Sequence, residues 1–387
     1  MHFPGAGGRE MRDKIRECAA PLSAWYQHAK REMPWRSDPA PYHVYVSEIM
    51  LQQTRVETVR PYYLRFITEL PDFDALAACP EERLLKLWEG LGYYSRVRNM
   101  HKAAVTIMED YGGEIPGTAK ELQKLSGIGE YTAAAIASIA FGQPVSSVDG
   151  NLLRVYARRN LYRENIKEPA AKKLAYDYYM ERMPEERPGD YNQALMDLGA
   201  TVCLPNGEPE CFRCPWADLC EAHIQGVELE VPVVPAKKAR RVEHRNVYRV
   251  HCGDALLLSK RPETGLLAGL YEFPNDLLEN TADKAKKNPP EKLTKKQIAE
   301  LSQKALDRFL SDNDLTPVSV FPLPAAKHIF SHVEWHMTGY DIEVASFDAL
   351  PSNVEPDPAN DDRTLFVSPL AELDRYSIPN AFDAFKF

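Results

Sequence analysis

The spacing of apolar residues changes at residues 231–245, and this change divides the chain into two parts of different fold class. Upstream, segments such as 44–53 and 99–111 repeat apolar residues every three or four positions, which is typical of amphipathic helices. Downstream, residues 247–251 and 255–260 are short, largely apolar runs on either side of Cys252-Gly253-Asp254, which is typical of paired strands. The stretch between them, VPVVPAKKARRVEHR, combines prolines with basic residues and indicates an extended linker. A chain of 387 residues is also longer than a single core usually supports.

This pattern predicts a multi-domain protein: an all-α domain at residues 1–230, a linker at 231–245 and an α+β domain at 246–387. In the second domain we expect two strands that turn at 252–254. A helix near 295–310 follows a Lys- and Pro-rich loop at 280–296. Residues 328–337 alternate and predict one further strand with five residues on one face: Ile329, Ser331, Val333, Trp335 and Met337.

Four of the seven cysteines lie within one short window, with seven, two and five residues between them: Cys203, Cys211, Cys214 and Cys220. Four thiolates in one loop can close around a single metal centre, and sulfur ligands suit zinc or an iron–sulfur cluster. The spacing by itself leaves both open. The chain shows no secretory signal, so a disulfide is the less favoured interpretation.

The net charge of −9 gives no sign of a nucleic-acid partner. Residues 1–230 carry a net charge of −6 and residues 231–387 a net charge of −3, so neither half is basic. A DNA-binding function must therefore be argued from local motifs. The sequence contains no run of eighteen apolar residues and no leader with an apolar core. We expect a cytoplasmic, nucleoid-associated protein without a membrane segment.

Residues 122–136 read LQKLSGIGEYTAAAI and place Gly127 and Gly129 directly before a strong helix-forming run. Two glycines allow a tight turn between helices and let the backbone approach another molecule. The N–H groups that open the second helix then suit a phosphate. A lone Gly-x-Gly is a weak signal that also fits an ordinary helix corner. LSGIGEYTA as a whole is more specific, and it resembles the helix-hairpin-helix element of the DNA glycosylase superfamily, whose hairpin grips the DNA backbone.

Two acidic residues have positions that suit chemistry. Glu48 lies inside the apolar run VYVSEIML, so we expect it to be partly buried. Burial raises the pKa of a carboxylic acid and lets it act as a general acid. Asp149 follows the hairpin by about twenty residues and precedes LLRVYARRN, where it can also cap a helix.

Six motifs occur in the order found in one enzyme family: PWR, SEIMLQQTRVETV, WEGLGYYSRVRN, LSGIGEYTA, VDGNLLRV and NQALMDLGATVC. From about Ala24 to the end, the chain resembles the MutY family of adenine DNA glycosylases, within the helix-hairpin-helix superfamily. The resemblance implies removal of adenine mispaired with 8-oxoguanine or guanine in duplex DNA, by a monomer. It also implies a [4Fe–4S] cluster on the four cysteines, which favours iron–sulfur over zinc. The first cysteine interval, 204–210, is one residue longer than the usual six of the family.

The resemblance also assigns roles to single residues. Glu48 would protonate adenine N7 and later activate water, and Asp149 would stabilise the oxocarbenium-like sugar or trap it covalently. Tyr131 and Asn151 would orient these groups. Family members that also cleave the DNA backbone carry a lysine where this chain has Tyr131, so a monofunctional glycosylase is implied.

Further positions match residues of the family that contact DNA or the flipped base. Gln53 and Tyr93 would wedge into the base stack, beside Thr54 and Leu91. Trp35 and Arg36 would line the adenine pocket, and Gln193 would support it. Gly127 and Gly129 would form the hairpin.

The second domain resembles the C-terminal, MutT-like Nudix domain of the same family through RPETGLLAGLYEFP and FSHVEWHM. The Gly-x5-Glu-x7-Arg-Glu-x2-Glu-Glu box that binds catalytic metal in Nudix hydrolases is absent from the sequence. Recognition of the 8-oxoguanine strand is therefore implied, with Phe330, Ser331 and His332 at its tip. His328, His332 and His336 are spaced too far apart along one strand to share a metal.

Three alternatives compete with this hypothesis. An endonuclease-III-like glycosylase and lyase is disfavoured by Tyr131 and by the second domain. A redox-sensing iron–sulfur DNA-binding protein would not need Glu48 for its activity. A nucleotide hydrolase acting through the second domain is disfavoured by the missing acidic box.

Overall fold

The structure is a computed structural model, and it describes residues 6–236, 239–280, 293–348 and 364–387, with side chains from residue 17 onward and none at 279–280. Contacts divide the chain into two compact units. The first unit runs to Glu81 and continues over Ser95–Ala236. The second unit comprises Lys237–Phe387 together with Glu82–Tyr94, a short segment that the sequence prediction had assigned to the first domain.

The part of the chain before residue 225 is helical throughout, as its apolar spacing predicts. The helices are α1 Ala6–Ala29, α2 Pro34–Ser37, α3 Pro41–Leu51, α4 Val56–Glu69, α5 Phe73–Ala78, α6 Glu81–Leu87, α7 Ser95–Asp110, α8 Ala119–Leu122, α9 Glu130–Phe141, α10 Gly150–Arg159, α11 Pro169–Met180, α12 Pro188–Thr201 and α13 Glu221–Ile224. No helix in the described part of the chain is long and apolar enough to cross a membrane.

Local sequence explains where several of these helices begin and end. The carboxylate of Asp149 accepts a hydrogen bond from the first turn of α10, and Thr118 caps α8 in the same way. The helix α9 ends at Gly142, whose φ of +67° is easily adopted only by glycine. The alanine-rich α9 is buried along most of its length, so α3 and α12 can both pack closely against it.

The apolar core next to α10 and α12 supports the floor of the site described below. It joins α1, α10, α11 and α12 through large buried side chains: Leu22, Tyr26, Leu152, Tyr179, Tyr191, Leu195 and Trp216. The burial of such side chains contributes roughly 1.5–3 kcal/mol each. The N-terminus of α10 is therefore held rigidly against α12.

The second unit is built on a mixed sheet. Its strands are β1 Arg241–Cys252, β2 Ala255–Lys260, β3 Tyr271–Glu272, β4 Asn275–Asn280, β5 Pro317–Ile329, β6 Val333–Val344 and β7 Thr364–Pro369. The main path runs β3-β2-β1-β6-β5, with β4 paired to β1 and β7 paired to β2. Strands β1 and β6 are parallel, and the remaining pairs are antiparallel. The helix α14, Lys295–Asp312, packs against β1 and β4.

Two strand predictions in this unit have different outcomes. The strand pair at residues 247–260 is confirmed, with Cys252 opposite Ala255 across the turn. The single strand predicted at 328–337 is wrong, because β5 ends at Ile329 and β6 begins at Val333. Ile329 pairs with Glu334 across this hairpin and is exposed, whereas Val333, Trp335 and Met337 are buried. The apolar alternation simply continues through a tight turn, which periodicity alone does not reveal.

The helix predicted near residue 295 is confirmed, since α14 begins at Lys295 with a Thr294–Gln297 capping box. Most of the predicted loop at 280–296 lies outside the described residues. The segment predicted as a linker is structured at both ends. Val231 is buried and Ile166 donates its backbone N–H to the Val233 carbonyl at 3.1 Å, while β1 already begins at Arg241.

Candidate active site

A cavity of about 1110 Å³ opens in the first unit. Seven helices contribute to its wall, namely α1, α2, α3, α4, α9, α12 and the start of α10. The cavity collects most of the residues that the sequence pointed to as catalytic or base-binding: Trp35, Arg36, Glu48, Thr54, Tyr131, Asp149, Asn151 and Gln193. These residues are up to 158 positions apart in sequence, from Trp35 to Gln193. A cavity with a few convergent polar groups is the usual form of a small-molecule or base site.

Glu48 is buried in this cavity wall, with only 5% of its surface exposed. Its helix α3 is buried on nearly every side, because α4, α7 and α9 pack around it. Burial raises the pKa of Glu48 to about 7, and the Tyr131 hydroxyl and the charge of Arg36 oppose that rise. The Tyr131 hydroxyl donates to Glu48 Oε2 at 3.4 Å. Glu48 can therefore carry a proton near neutral pH and give it to a bound group.

Asp149 is the second carboxyl group of the cavity. Its Oδ1 accepts from the Leu152 backbone N–H at 2.8 Å, and its Oδ2 accepts from Asn151 Nδ2 at 2.9 Å. Burial raises the pKa of Asp149, while the bonds from Leu152 and Asn151 lower it. Both oxygens are thus fixed by donors at the N-terminus of α10, which favours a negative charge there.

The orientation of Asn151 is set by a buried arginine one turn further along α10. Arg154 Nη2 donates to Asn151 Oδ1 at 2.9 Å and to the Gly199 carbonyl at 2.7 Å. Arg154 Nε donates to the Cys203 carbonyl at 2.8 Å. Sequence reasoning missed Arg154, although its place in VDGNLLRV, on the face of α10 that follows Asn151, was a usable signal.

Arg36 lines the cavity, but both ends of its guanidinium are bound to a residue that the sequence did not point to. Arg36 Nη1 donates to Asp197 Oδ2 at 2.7 Å and Arg36 Nη2 to Asp197 Oδ1 at 3.0 Å. Arg31 binds the same carboxylate from the other side. Asp197 is an acid inside the apolar run ALMDLG, and this is the same signal that identified Glu48.

The helix hairpin adopts the turn that its glycines predict. Gly127 has a φ of +78°, and a side chain there would approach the Asn99 Cβ to 2.7 Å. Gly129 is the residue before α9, and a Cβ there would meet nothing within 4 Å. Gly129 is exposed, so another molecule has room to approach the backbone there, and a helix N-terminus suits a phosphate.

The four cysteines line one small cavity between α10, α12 and the loop at 203–220. Arg158 Nη1 donates to Cys203 Sγ at 3.3 Å. Burial raises the pKa of Cys211 to about 11 and that of Cys214 to about 12, and the neighbouring thiols add to the rise. A bound metal ion would favour the thiolate form of such thiols, because cysteine binds metals as the thiolate. The donor set thus fits a thiophilic metal centre.

The longer first cysteine interval is accommodated locally. The Glu210 backbone N–H donates to the Val202 carbonyl at 2.9 Å, so the chain returns to its starting point before it reaches Cys211. The intervening residues form a loop that turns at Gly207, whose φ is +74°. The seven residues between Cys203 and Cys211 thus form a loop that is closed at its base. His223 and Glu228, which the sequence did not single out, lie with Cys211 in a group whose potential ligand atoms are all within 4.8 Å of one another.

Comparison with known proteins finds similarity to enzymes that act on DNA bases, as the residues of this cavity suggest. A family model described as "HhH-GPD superfamily base excision DNA repair protein" matches residues 46–178. The chain is 34% identical to the adenine DNA glycosylase of Mus musculus, over 87% of this chain and 72% of that protein. The chain belongs to the adenine DNA glycosylase family.

Further similarities cover both units. The adenine DNA glycosylase of Homo sapiens is 35% identical over 81% of this chain and 64% of its own length. A solved structure described as a thermostable thymine-DNA glycosylase is 28% identical and superposes with a TM-score of 0.50, over 55% of this chain and 98% of that one. A NUDIX domain model matches residues 246–385. The predicted fold class, a helical glycosylase domain followed by a Nudix-like domain, is confirmed.

The other residues expected at the DNA surface of this glycosylase lie in different settings. Gln53 is exposed with a φ of +57°, and Tyr93 is 46% exposed with a φ of +49°. Positive φ in non-glycine residues is uncommon and often marks a functional position. Leu91 is buried. Within the second unit, the Tyr93 hydroxyl and Ser331 Oγ are 2.8 Å apart.

The expected recognition tip is the turn between β5 and β6. Ser331 and His332 are exposed there. Phe330 instead turns inward, with its ring centroid 4.8 Å from that of Trp335. Phe330 therefore anchors the turn to the core of the second unit, while its two neighbours face solvent.

Proposed function

We propose that the protein removes adenine paired with 8-oxoguanine or guanine in duplex DNA by hydrolysing the N-glycosidic bond, without cleaving the DNA backbone. The observation that carries the proposal is the pair of unlike carboxyl groups in one cavity. Burial raises the pKa of both groups, to about 7 for Glu48, but Asp149 accepts hydrogen bonds from two donors at a helix N-terminus that lower its pKa again. Environments of this kind separate a proton donor from a carboxylate that stabilises positive charge.

The cavity implies a base that leaves the duplex, because no group inside it can reach a stacked and paired nucleotide. Glu48 would donate its proton to adenine N7, which turns the base into a better leaving group. As the bond to the base lengthens, the sugar gains oxocarbenium character, and Asp149 would stabilise that charge or bond to the sugar. Glu48, now ionised, would take a proton from the attacking water.

Two neighbours would keep the carboxyl groups in place. Asn151 holds Asp149 Oδ2, and Arg154 in turn holds Asn151. Tyr131 donates to Glu48 and offers no amine for a Schiff base, which supports a glycosylase without lyase activity.

Selection of adenine would come from the rest of the cavity wall. The Gln193 carboxamide lines it and can form paired hydrogen bonds with an adenine edge. Trp35 is buried beside the cavity with its ring 5.1 Å from that of Tyr63, which gives the wall a flat and rigid apolar surface. The 8-oxoguanine strand would be read by the second unit, where Ser331 and His332 are exposed.

We further propose that Cys203, Cys211, Cys214 and Cys220 hold a [4Fe–4S] cluster. Four sulfur donors around one small cavity, with Arg158 donating to one of them, support this assignment. The cluster would order the loop at 203–220 and take no part in bond breaking.

The test is single-turnover release of adenine from duplexes with 8-oxoguanine, guanine or thymine opposite the adenine. We expect the fastest release opposite 8-oxoguanine and an intact backbone until alkali or heat is applied. Glu48→Gln is the inactive variant, and Asp177→Asn, an exposed acid paired with Lys173, is the matched control. No release opposite 8-oxoguanine would overturn the assignment, and direct strand cleavage would show a lyase.

A further inference from the structure

Asp197 is a buried acid that the proposed chemistry leaves unused. It lies on α12 and its side chain has no exposed surface. Its Oδ1 accepts from Arg31 Nε at 2.8 Å, from Arg31 Nη2 at 2.7 Å and from Arg36 Nη2 at 3.0 Å. Its Oδ2 accepts from Arg36 Nη1 at 2.7 Å and from the Arg31 backbone N–H at 3.2 Å. One carboxylate thus fixes two guanidinium groups with short, charge-assisted bonds.

The position of this cluster connects it to the proton donor. Arg31, Arg36 and Glu48 all line the same cavity. The charge of Arg36 is close enough to lower the pKa of Glu48 against the effect of burial. A guanidinium prefers a forked bond with a carboxylate, so an Arg36 released from Asp197 would find Glu48 as its alternative partner. Such a pair would keep Glu48 ionised and leave no proton for the base.

We propose that Asp197 is a positioning residue for base removal. Its carboxylate binds both Nη atoms of Arg36, so that Arg36 stays beside Glu48 without pairing with it. This inference rests on the proposed glycosylase function. Asp197 touches neither the base nor the sugar in this scheme. It acts through Arg36, whose side chain is also held by the Arg31 carbonyl at 3.1 Å and lies over the Tyr26 ring.

The other charged or titratable groups around Glu48 leave Asp197 as the acid that holds Arg36. Besides Arg36 on α2, they lie on α4, α7 and α9, which pack against α3, and at the start of α10. Tyr131 of α9 donates a hydrogen bond to Glu48, and Asp149 at the start of α10 raises the pKa of Glu48. Arg96 of α7 donates to the backbone carbonyls of Ile49, Met50 and Gln52. Glu57 of α4 lines the same cavity and is exposed.

The experiment is the pH dependence of single-turnover adenine release from an adenine:8-oxoguanine duplex, measured for the wild type and for Asp197→Asn between about pH 5.5 and 9. In the wild type the rate should fall as Glu48 loses its proton. In Asp197→Asn the pH at which the rate falls should shift to lower pH by about one unit or more, so the rate at pH 8 drops roughly tenfold or more. At pH 5.5, where more of Glu48 is protonated in both proteins, the two rates should differ much less than at pH 8.

A role in folding alone would lower the rate by the same factor at every pH, and that result would overturn the proposal. Arg36→Met provides a second test that does not depend on recovery of folded Asp197→Asn. Without Arg36 the pH at which the rate falls should shift to higher pH, and adding Asp197→Asn to Arg36→Met should shift it no further. A downward shift in Arg36→Met, or a further downward shift in the double variant, would show that Asp197 does not act through Arg36.

Two measurements keep the failures of the two proposals apart. Asp177→Asn, an exposed acid on α11, should retain the wild-type pH profile and serves as the matched control. Wild-type protein that releases no adenine would remove the proposed function. Wild-type release together with an unshifted pH dependence in Asp197→Asn would leave that function standing and remove only the role of Asp197.

Discussion

Replacing Glu48 by glutamine should abolish adenine release and, at alkaline pH, make the first unit more stable. The wild-type carboxyl group is buried, and burial raises its pKa from 4.5 to about 7. The folded state therefore binds this proton more tightly than the unfolded state does. Stability from the group is complete below pH 4.5 and is lost as the pH rises through 7.

The size of the effect follows from the two pKa values. Each pH unit between them is worth about 1.4 kcal/mol, so ionised Glu48 costs the fold about 3 kcal/mol at pH 8 and less than about 1 kcal/mol at pH 5. A neutral glutamine of similar shape avoids this cost, although it places an amide against the Tyr131 hydroxyl. Such a cost is typical where a buried catalytic group is retained for function.

The assay is thermal unfolding of wild type and Glu48→Gln at pH 5 and pH 8, with adenine release measured on the same preparations. At pH 8 the variant should unfold at a midpoint higher by roughly 6–12 °C, and at pH 5 the two midpoints should nearly coincide. A difference that is independent of pH would refute the reasoning, because it would show that Glu48 ionises alike in the folded and unfolded states. Retained adenine release would refute its role as the proton donor.

Three further substitutions test the remaining parts of the site. Asp149→Asn should lower the single-turnover rate by roughly a hundredfold or more but the melting midpoint by only about 2–4 °C, because asparagine still caps the helix and loses only the bond from Asn151. Equal losses of rate and stability would point to a structural role. Gly127→Ala should lower the free energy of unfolding by about 1–3 kcal/mol, since φ at this position is +78° and the added Cβ would crowd Asn99. The same variant should bind DNA more weakly in an electrophoretic titration, and unchanged affinity would argue against a hairpin contact with DNA. Cys214→Ser should reduce the iron content and visible absorbance of the purified protein, and a full iron content would exclude this thiol as a ligand.

Much of the site could be predicted because its residues lie in short, characteristic segments. Glu48 stood out as an acid in an apolar run, and the structure buries it. The glycines of the hairpin predicted a left-handed turn, which Gly127 adopts. The same reasoning could have found Asp197 in ALMDLG, but an isolated acid in a helix gives no indication of its partners. Arg31 and Arg36 reach it across more than 160 positions of sequence.

Where the sequence prediction was incomplete, the missing information was a contact between distant segments. The strand predicted at 328–337 is a hairpin, since the turn at 330–332 keeps the alternation of its two strands in phase. Nothing in the sequence indicates that the ring of Phe330, which we predicted at the recognition tip with Ser331 and His332, packs near Trp335. The role of Arg154 appears only when α10 lies against α12 and Cys203.

The sequence by itself determined the fold class of each half, the soft-metal character of the four-cysteine loop and the two candidate carboxyl groups, because period, ligand type and local burial are properties of short segments. Only the tertiary structure decided the state of those carboxyl groups. The pKa of Glu48 depends on its burial and on the groups of α2, α9 and α10 that lie near it. The paired hydrogen bonds of Arg36 depend on the position of Asp197 on α12. Desolvation and charge interactions act through space, so they are settled by packing and not by sequence order.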